Sequence, residues 1–75
     1  MPSKTPLLYS FGDIIREKRK EKKMSQEDLA FKADLHRTYI GMIERAEKNI
    51  TLENINKLAK ALDLSVSELF KDLKD

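Results

Sequence analysis

The 75-residue chain has no cysteine and one histidine, which excludes disulfides, thiolate metal sites and iron–sulfur clusters and is typical of the cytoplasm. Charged residues make up 37% of it, yet the formal net charge is only +2, so bulk charge alone does not indicate a nucleic-acid partner. No apolar run approaches the ~18 residues of a membrane span. A chain this short buries only about 60% of its unfolded surface, so we expect oligomerisation to supplement its stability.

Cap residues predict two helices in the first half of the chain. Ser10 and Asp13 indicate a first helix running to about Lys22, which leaves residues 1–9 as a flexible N-terminal arm and residues 10–75 as the folded domain. Ser25, followed three residues later by Asp28, predicts the start of the second helix. The basic excess lies in this half, because residues 1–33 carry eight Lys or Arg against five Asp or Glu.

Three more helices are predicted in the second half. The third begins at Leu35, the fourth at Thr51, and the fifth at Ser65, where Glu68 completes a capping box. No segment alternates apolar and polar residues long enough to predict a strand. We therefore predict a compact all-α domain of five short helices.

The second and third helices are close enough in sequence to form a tight corner. Two short helices joined by a three- to four-residue turn form the helix-turn-helix motif, whose second helix lies in the major groove of DNA. Asp34 occupies the left-handed turn position where glycine is commonest and which Asp tolerates. The corner therefore predicts binding to double-stranded DNA.

The predicted recognition helix has one polar side. If Ile40 and Ile43 point inward, the outward residues at 100° per residue are Thr38, Gly41, Met42 and Arg45, with Arg37 beside them. Arginine can bond guanine bidentately, and threonine can contact thymine. Glycine 41 would let the helix approach the groove closely. The alternative interpretation is an ordinary solvated helix face.

Three further residues are candidates for DNA contact. Gln26 is the first residue of the second helix, whose free N–H groups suit a phosphate. Lys48 and Asn49 follow the third helix and could reach the DNA backbone or a base edge. Ordinary helix-start chemistry and a solvated loop are the alternatives. His36 is predicted to serve at the helix start, because no catalytic partners accompany it.

Arg19 lies on the apolar stripe of the first helix. A buried arginine without a partner costs several kcal/mol, so a partner is required. Glu44, near the end of the third helix, is the candidate. This ion pair would be structural and would fix the angle of the recognition helix.

From Phe11 to about Phe70 the chain resembles the Cro/C1-type helix-turn-helix regulators, which have a lambda-repressor-like fold. The similarity is carried by IIREKRKEKKMSQEDLAFKADL, RTYIGMIER and TLENINKLAKALDLSVSELF. Within that family, HRTYIGMIERAEKNIT is most similar to the controller proteins of restriction–modification systems. Lys23, Asp34 and Ala46 depart from the family by standing where glycine is usual.

The resemblance implies a homodimer that binds a palindromic operator and acts as activator and autorepressor. It places the family's phosphate-binding glutamine at Gln26 and its other DNA-contacting positions at Arg37, Thr38, Tyr39, Arg45, Lys48 and Asn49. It also implies the ion pair of Arg19 with Glu44. From the residues, an apolar patch of Val66, Leu69 and Phe70, or neighbouring fourth-helix residues, is the candidate dimer interface. The alternative is that all of them are core residues.

Three other classes of function are alternatives to this prediction. A phage-type repressor or an antitoxin would keep DNA binding and regulate different genes. A protein-interaction module would present an apolar or acidic face, whereas residues 38, 41, 42 and 45 are neutral to basic. No convergent acid, base or nucleophile predicts an enzyme. RNA polymerase is a possible partner, through a residue such as Glu27.

Overall fold

The structure is a computed structural model and describes residues 4–74. That part of the chain contains five helices and no strand, which confirms the all-α prediction. The helices are α1 (Pro6–Glu21), α2 (Gln26–Ala33), α3 (Arg37–Glu44), α4 (Leu52–Ala61) and α5 (Val66–Phe70). Within residues 4–74, none of these helices is long and apolar enough to cross a membrane.

Helix α1 begins five residues earlier than the sequence predicted, with its N-cap at Thr5 and not at Ser10. The hydroxyl of Thr5 accepts a hydrogen bond from the backbone N–H of Leu8 at 3.2 Å. Pro6 follows at the first helical position, where its fixed φ suits the helix and its missing N–H costs nothing. The predicted helix start at Ser10 is therefore wrong, because residues 6–9 are helical. Residues 1–3 of the predicted arm lie outside the described residues. Ser10 instead accepts a bond from the backbone N–H of Lys74 at 2.9 Å.

The capping boxes of α2 and α5 are formed as predicted. Ser25 accepts from the N–H of Asp28 at 2.9 Å, and Asp28 accepts from the N–H of Ser25 at 2.9 Å. The same exchange joins Ser65 and Glu68. Hydrogen bonds from the serines lower the pKa values of Asp28 and Glu68, so both carboxylates stabilise their helix starts more strongly when ionised.

Helix α3 begins at Arg37, two residues later than predicted. His36 has the extended backbone of an N-cap, and its Nδ1 accepts a hydrogen bond from the backbone N–H of Thr38 at 3.1 Å. Leu35 instead belongs to the turn, where its N–H donates to the carbonyl of Ala30 at 2.9 Å. His36 thus acts at the helix start, as the sequence indicated.

The first four helices end in the same way, with a left-handed residue that is not glycine. These residues are Lys23 (φ 56°), Asp34 (φ 57°), Ala46 (φ 61°) and Asp63 (φ 59°). In each case the N–H of the next residue donates to a carbonyl five residues back, as in a Schellman motif. A Cβ in this conformation costs roughly 1–2 kcal/mol, so four helix ends carry strain that glycine would avoid.

Replacing Lys23 with glycine should stabilise the protein. Relief of the left-handed strain, about 1–2 kcal/mol, exceeds the entropic cost of glycine, about 0.5–1 kcal/mol, so we expect a net gain of roughly 0.5–1 kcal/mol. Urea denaturation followed by circular dichroism measures it. Lys20→Gly is the matched control, because exposed Lys20 lies within α1, where glycine should cost about 1 kcal/mol. If both variants lost the same amount of stability, Lys23 would not be strained in the parent protein.

All five helices contribute to one apolar core. Six large side chains are fully buried at its centre: Ile15, Leu29, Ile40, Leu58, Leu62 and Leu69. Leu69 is 1% exposed and belongs to this chain's own core, so its place in a dimer interface stays a prediction. The inward stripe of α5 is occupied by the protein's own core, and only the half-buried Val66 and Phe70 remain at that surface.

Gly12 sets the distance between α1 and α3. A Cβ on Gly12 would lie 2.7 Å from the carbonyl oxygen of Ile43 and 2.8 Å from that of Glu44. Any side chain would therefore push the end of the recognition helix away from α1. The sequence did not single out Gly12, because this close approach depends on tertiary packing.

Candidate nucleic-acid interface

Helix α3 has a buried face and an exposed face, as the sequence predicted. Ile40, Ile43 and Glu44 are buried against the body of the protein. On the other side, Arg37 and Thr38 are exposed in the first turn and Arg45 at the C-cap. The two ends of the helix therefore present arginines to solvent, about two turns apart.

The buried face is anchored by the predicted ion pair. Arg19 Nε lies 2.7 Å from Glu44 Oε2, and Arg19 Nη2 donates to Glu44 Oε1 at 3.0 Å. This bidentate contact is the geometry that arginine and carboxylate favour. Hydrogen bonding to Glu44 and its negative charge together raise the pKa of Arg19, although burial opposes the shift. The pair joins α1 to the end of α3.

Glu44 also accepts from two residues that the sequence did not connect to it. Gln26 Nε2 donates to Glu44 Oε1 at 3.0 Å, and Arg16 Nε lies 3.7 Å from the same oxygen. Arg16 Nη2 further donates to the backbone carbonyl of Glu44 at 2.8 Å. One carboxylate, 2% exposed at its side chain, thus holds α1, α2 and α3 together.

Gln26 and Gly41 are placed differently from the simple helix projection. The amide nitrogen of Gln26 is turned inward to Glu44, so what remains for a phosphate at this end of α2 is the helix N-terminus. Gly41 was predicted to be open to the groove, but it is buried. A Cβ there would lie 3.0 Å from Arg45 Nη1 and 3.6 Å from Gln26 Oε1, because both side chains extend over it.

Tyr39 is half-buried, and its hydroxyl is held by the start of α4. Asn54 Nδ2 donates to Tyr39 Oη at 3.1 Å. Since the hydroxyl oxygen accepts this bond, its own hydrogen is left to donate to an acceptor such as a phosphate oxygen. The sequence did not indicate Asn54, because the contact is made between helices separated by a loop.

The remaining candidate residues lie around the end of α3. Met42 is half-buried, while Lys48 and Asn49 are exposed in the segment that follows. Glu47, which the sequence did not single out, forms an ion pair with Arg45. Its Oε2 lies 3.1 Å from the Arg45 Nε. The backbone N–H of Lys4 donates to the carbonyl of Ala46 at 2.8 Å, which brings a further lysine to this edge.

Two large apolar side chains lie far outside the core. Leu52, at the start of α4, is 71% exposed and forms a shallow apolar concavity with Glu53, Asn56 and Val66. Phe31, on α2, is 88% exposed.

Comparisons with known proteins agree with this architecture. A helix-turn-helix family matches residues 15–69. The control protein C.BamHI of Bacillus amyloliquefaciens is 52% identical over 60 residues, which are 79% of this chain and 74% of that protein.

Solved structures extend the similarity. The crystal structure of the restriction–modification controller protein C.AhdI from Aeromonas hydrophila has a TM-score of 0.82 and 51% identity, covering 84% of this chain and 96% of that one. The C.Esp1396I controller tetramer in complex with its natural 35 base-pair operator has a TM-score of 0.81 and 42% identity, covering 87% and 86%. The chain therefore belongs to the helix-turn-helix family and, within it, to the control proteins of restriction–modification systems.

Proposed function

We propose that this protein is a sequence-specific transcriptional regulator that binds a palindromic operator as a homodimer and controls a restriction–modification system. The observation that best supports this proposal is the exposed polar face of α3. The opposite face of the helix is fixed to the core by Ile40, Ile43 and the Glu44 ion pair. A rigidly held helix with arginines at both ends can keep the same base contacts in every complex.

The residues of this face have different roles in the proposal. Arg37, Thr38 and Arg45 contact base edges, because their side chains are exposed and suit guanine or thymine. Contacts to the DNA phosphate backbone come from the residues around them: Gln26, Tyr39, Lys48 and Asn49. Met42 lies at the edge of the DNA interface, and Gly41 leaves room for the Arg45 side chain to lie against the helix.

The dimer follows from the size of the domain and its exposed apolar surface. The domain measures 29 × 25 × 21 Å, which is less than one turn of DNA, about 34 Å. Reading two successive major grooves therefore requires two copies. We assign the dimer contact to Val66 and Phe70 together with Leu52, which is too exposed to be a core residue.

A regulator of this type acts in the cytoplasm as activator and autorepressor, not as an enzyme. Activation requires contact with RNA polymerase, and we assign that contact to the outer face of α2. Glu27 and Phe31 are exposed there one helical turn apart. This surface lies beside the corner but outside the polar face of α3.

Arg37→Ala tests the proposal. The operator is first identified by selecting bound sites from a random DNA pool, and gel-shift titrations then compare every single-base variant. We expect the variant to lose discrimination at one base pair in each half-site, at a cost of about 1–3 kcal/mol. Its circular dichroism should match that of the parent, because Arg37 is exposed.

Lys60→Ala is the matched control for Arg37→Ala. It removes one exposed positive charge from α4, outside the proposed interface, and should leave every base preference unchanged. Titration across salt concentrations adds an independent measurement, since neutralised phosphates make affinity fall steeply with salt. Full discrimination by Arg37→Ala would show that α3 is not the recognition helix.

A further inference from the structure

The end of α3 places a carboxylate directly beside a candidate base-reading arginine. Ala46 adopts the left-handed conformation, and the N–H of Glu47 donates to the carbonyl of Met42 at 2.8 Å. This turn brings the chain back along the helix. As a result, Glu47 Oε2 lies 3.1 Å from Arg45 Nε.

The other end of the same guanidinium lies over Gly41. Arg45 Nη1 lies 3.0 Å from the point where a Cβ on Gly41 would stand. The Arg45 side chain therefore extends back along α3, over the only helical position there without a side chain. The Arg45 side chain is otherwise 54% exposed, so the contact with Glu47 is what favours this rotamer.

We infer that Glu47 is a positioning residue for base recognition: it holds Arg45 so that Nη1 and Nη2 face a guanine in the major groove. The inference rests on the proposed role of Arg45 in DNA binding. With Nε paired to the carboxylate, the two terminal nitrogens form the fork that matches guanine O6 and N7. A fixed fork loses less rotamer entropy on binding than a free arginine.

The charge of Glu47 makes this role distinguishable from ordinary attraction to DNA. A carboxylate near phosphates repels them, so Glu47 should weaken non-specific binding while strengthening discrimination. The Arg45 guanidinium and the charge of Lys4 lower the pKa of Glu47, so the carboxylate stays ionised in neutral solution. A merely structural residue would not affect specific and non-specific binding in opposite directions.

The test compares Glu47→Ala and Glu47→Gln in the full-length protein, on the selected operator, its single-base variants and random DNA. For Glu47→Ala we expect discrimination at one G·C pair per half-site to fall roughly three- to tenfold. Affinity for random DNA should rise or stay constant. Glu47→Gln keeps an acceptor for Arg45 Nε and should retain most of the discrimination.

Arg45→Ala separates this inference from the proposal beneath it. If Arg45→Ala loses the same G·C preference but Glu47→Ala does not, the positioning role is wrong and base reading by Arg45 stands. If Arg45→Ala keeps every preference, both the proposed contact of Arg45 and the role of Glu47 are wrong. Equal weakening of operator and random DNA by Glu47→Ala would also overturn the inference.

Discussion

Replacing Arg19 with methionine should destabilise the protein by about 3–5 kcal/mol, the usual effect of removing one partner from a buried ion pair. The Glu44 side chain is only 2% exposed, so its carboxylate would lose the bidentate contact without regaining water. The carbonyl of Met24 would also lose the bond that it accepts from Arg19 Nη1 at 2.9 Å. Small domains are stable by roughly 5–15 kcal/mol, so a large fraction of the stability would be lost.

Denaturant titrations at one fixed protein concentration measure this effect, because a dimer's stability depends on concentration. Lys20→Met is the control on the adjacent, exposed position and should change stability by less than about 0.5 kcal/mol. The double variant Arg19→Met with Glu44→Leu removes both charges and should recover much of the loss. A cost below about 1 kcal/mol for Arg19→Met alone would show that Gln26 and Arg16 suffice to satisfy Glu44.

Gly12→Ala is expected to destabilise the fold by about 3 kcal/mol, at the upper end of the range for overpacking. The added methyl would meet the carbonyl oxygens of Ile43 and Glu44 at 2.7 and 2.8 Å. These are backbone atoms at the end of α3, so relief requires moving the whole helix. Such a shift would also disturb the ion pair of Glu44 with Arg19 and lower operator affinity.

The second glycine of the chain provides the matched control. In Gly41→Ala the methyl would meet the flexible end of Arg45, which can move away. Because alanine favours a helix over glycine by about 1 kcal/mol, Gly41→Ala should be as stable as the parent or slightly more so. Thermal unfolding of both variants measures the contrast. Equal stability of the two would contradict the close contact at Gly12.

The local chemistry of helix starts was largely predictable from the sequence. Ser25, Thr51 and Ser65 all cap helices where the spacing of polar and acidic residues predicted. Ser10 was misassigned because Asp13 follows it at capping-box spacing, although Thr5 and Pro6 form the true start. A threonine directly before a proline was the stronger signal, since proline suits the first helical position.

Tertiary contacts limited the rest of the prediction. The apolar stripe of α1 predicted that Arg19 needs a partner, and the structure contains its pair with Glu44. The spacing of Leu69 could not distinguish a core residue from an interface residue, and packing places it in the core. Asn54 carries no local pattern, because its contact depends on how α3 meets α4. Glu47 contacts Arg45, two residues away, because of the left-handed turn at Ala46, which the sequence did not predict.

The four left-handed helix ends have a practical use. Lys23 and Asp63 lie at the ends of α1 and α4, outside the proposed DNA face, and both are exposed. Glycine at both positions should therefore give a more robust parent protein with unaltered operator preference. In that background, damaging changes such as Arg19→Met can be studied in a folded molecule, so that lost operator binding is separable from lost structure.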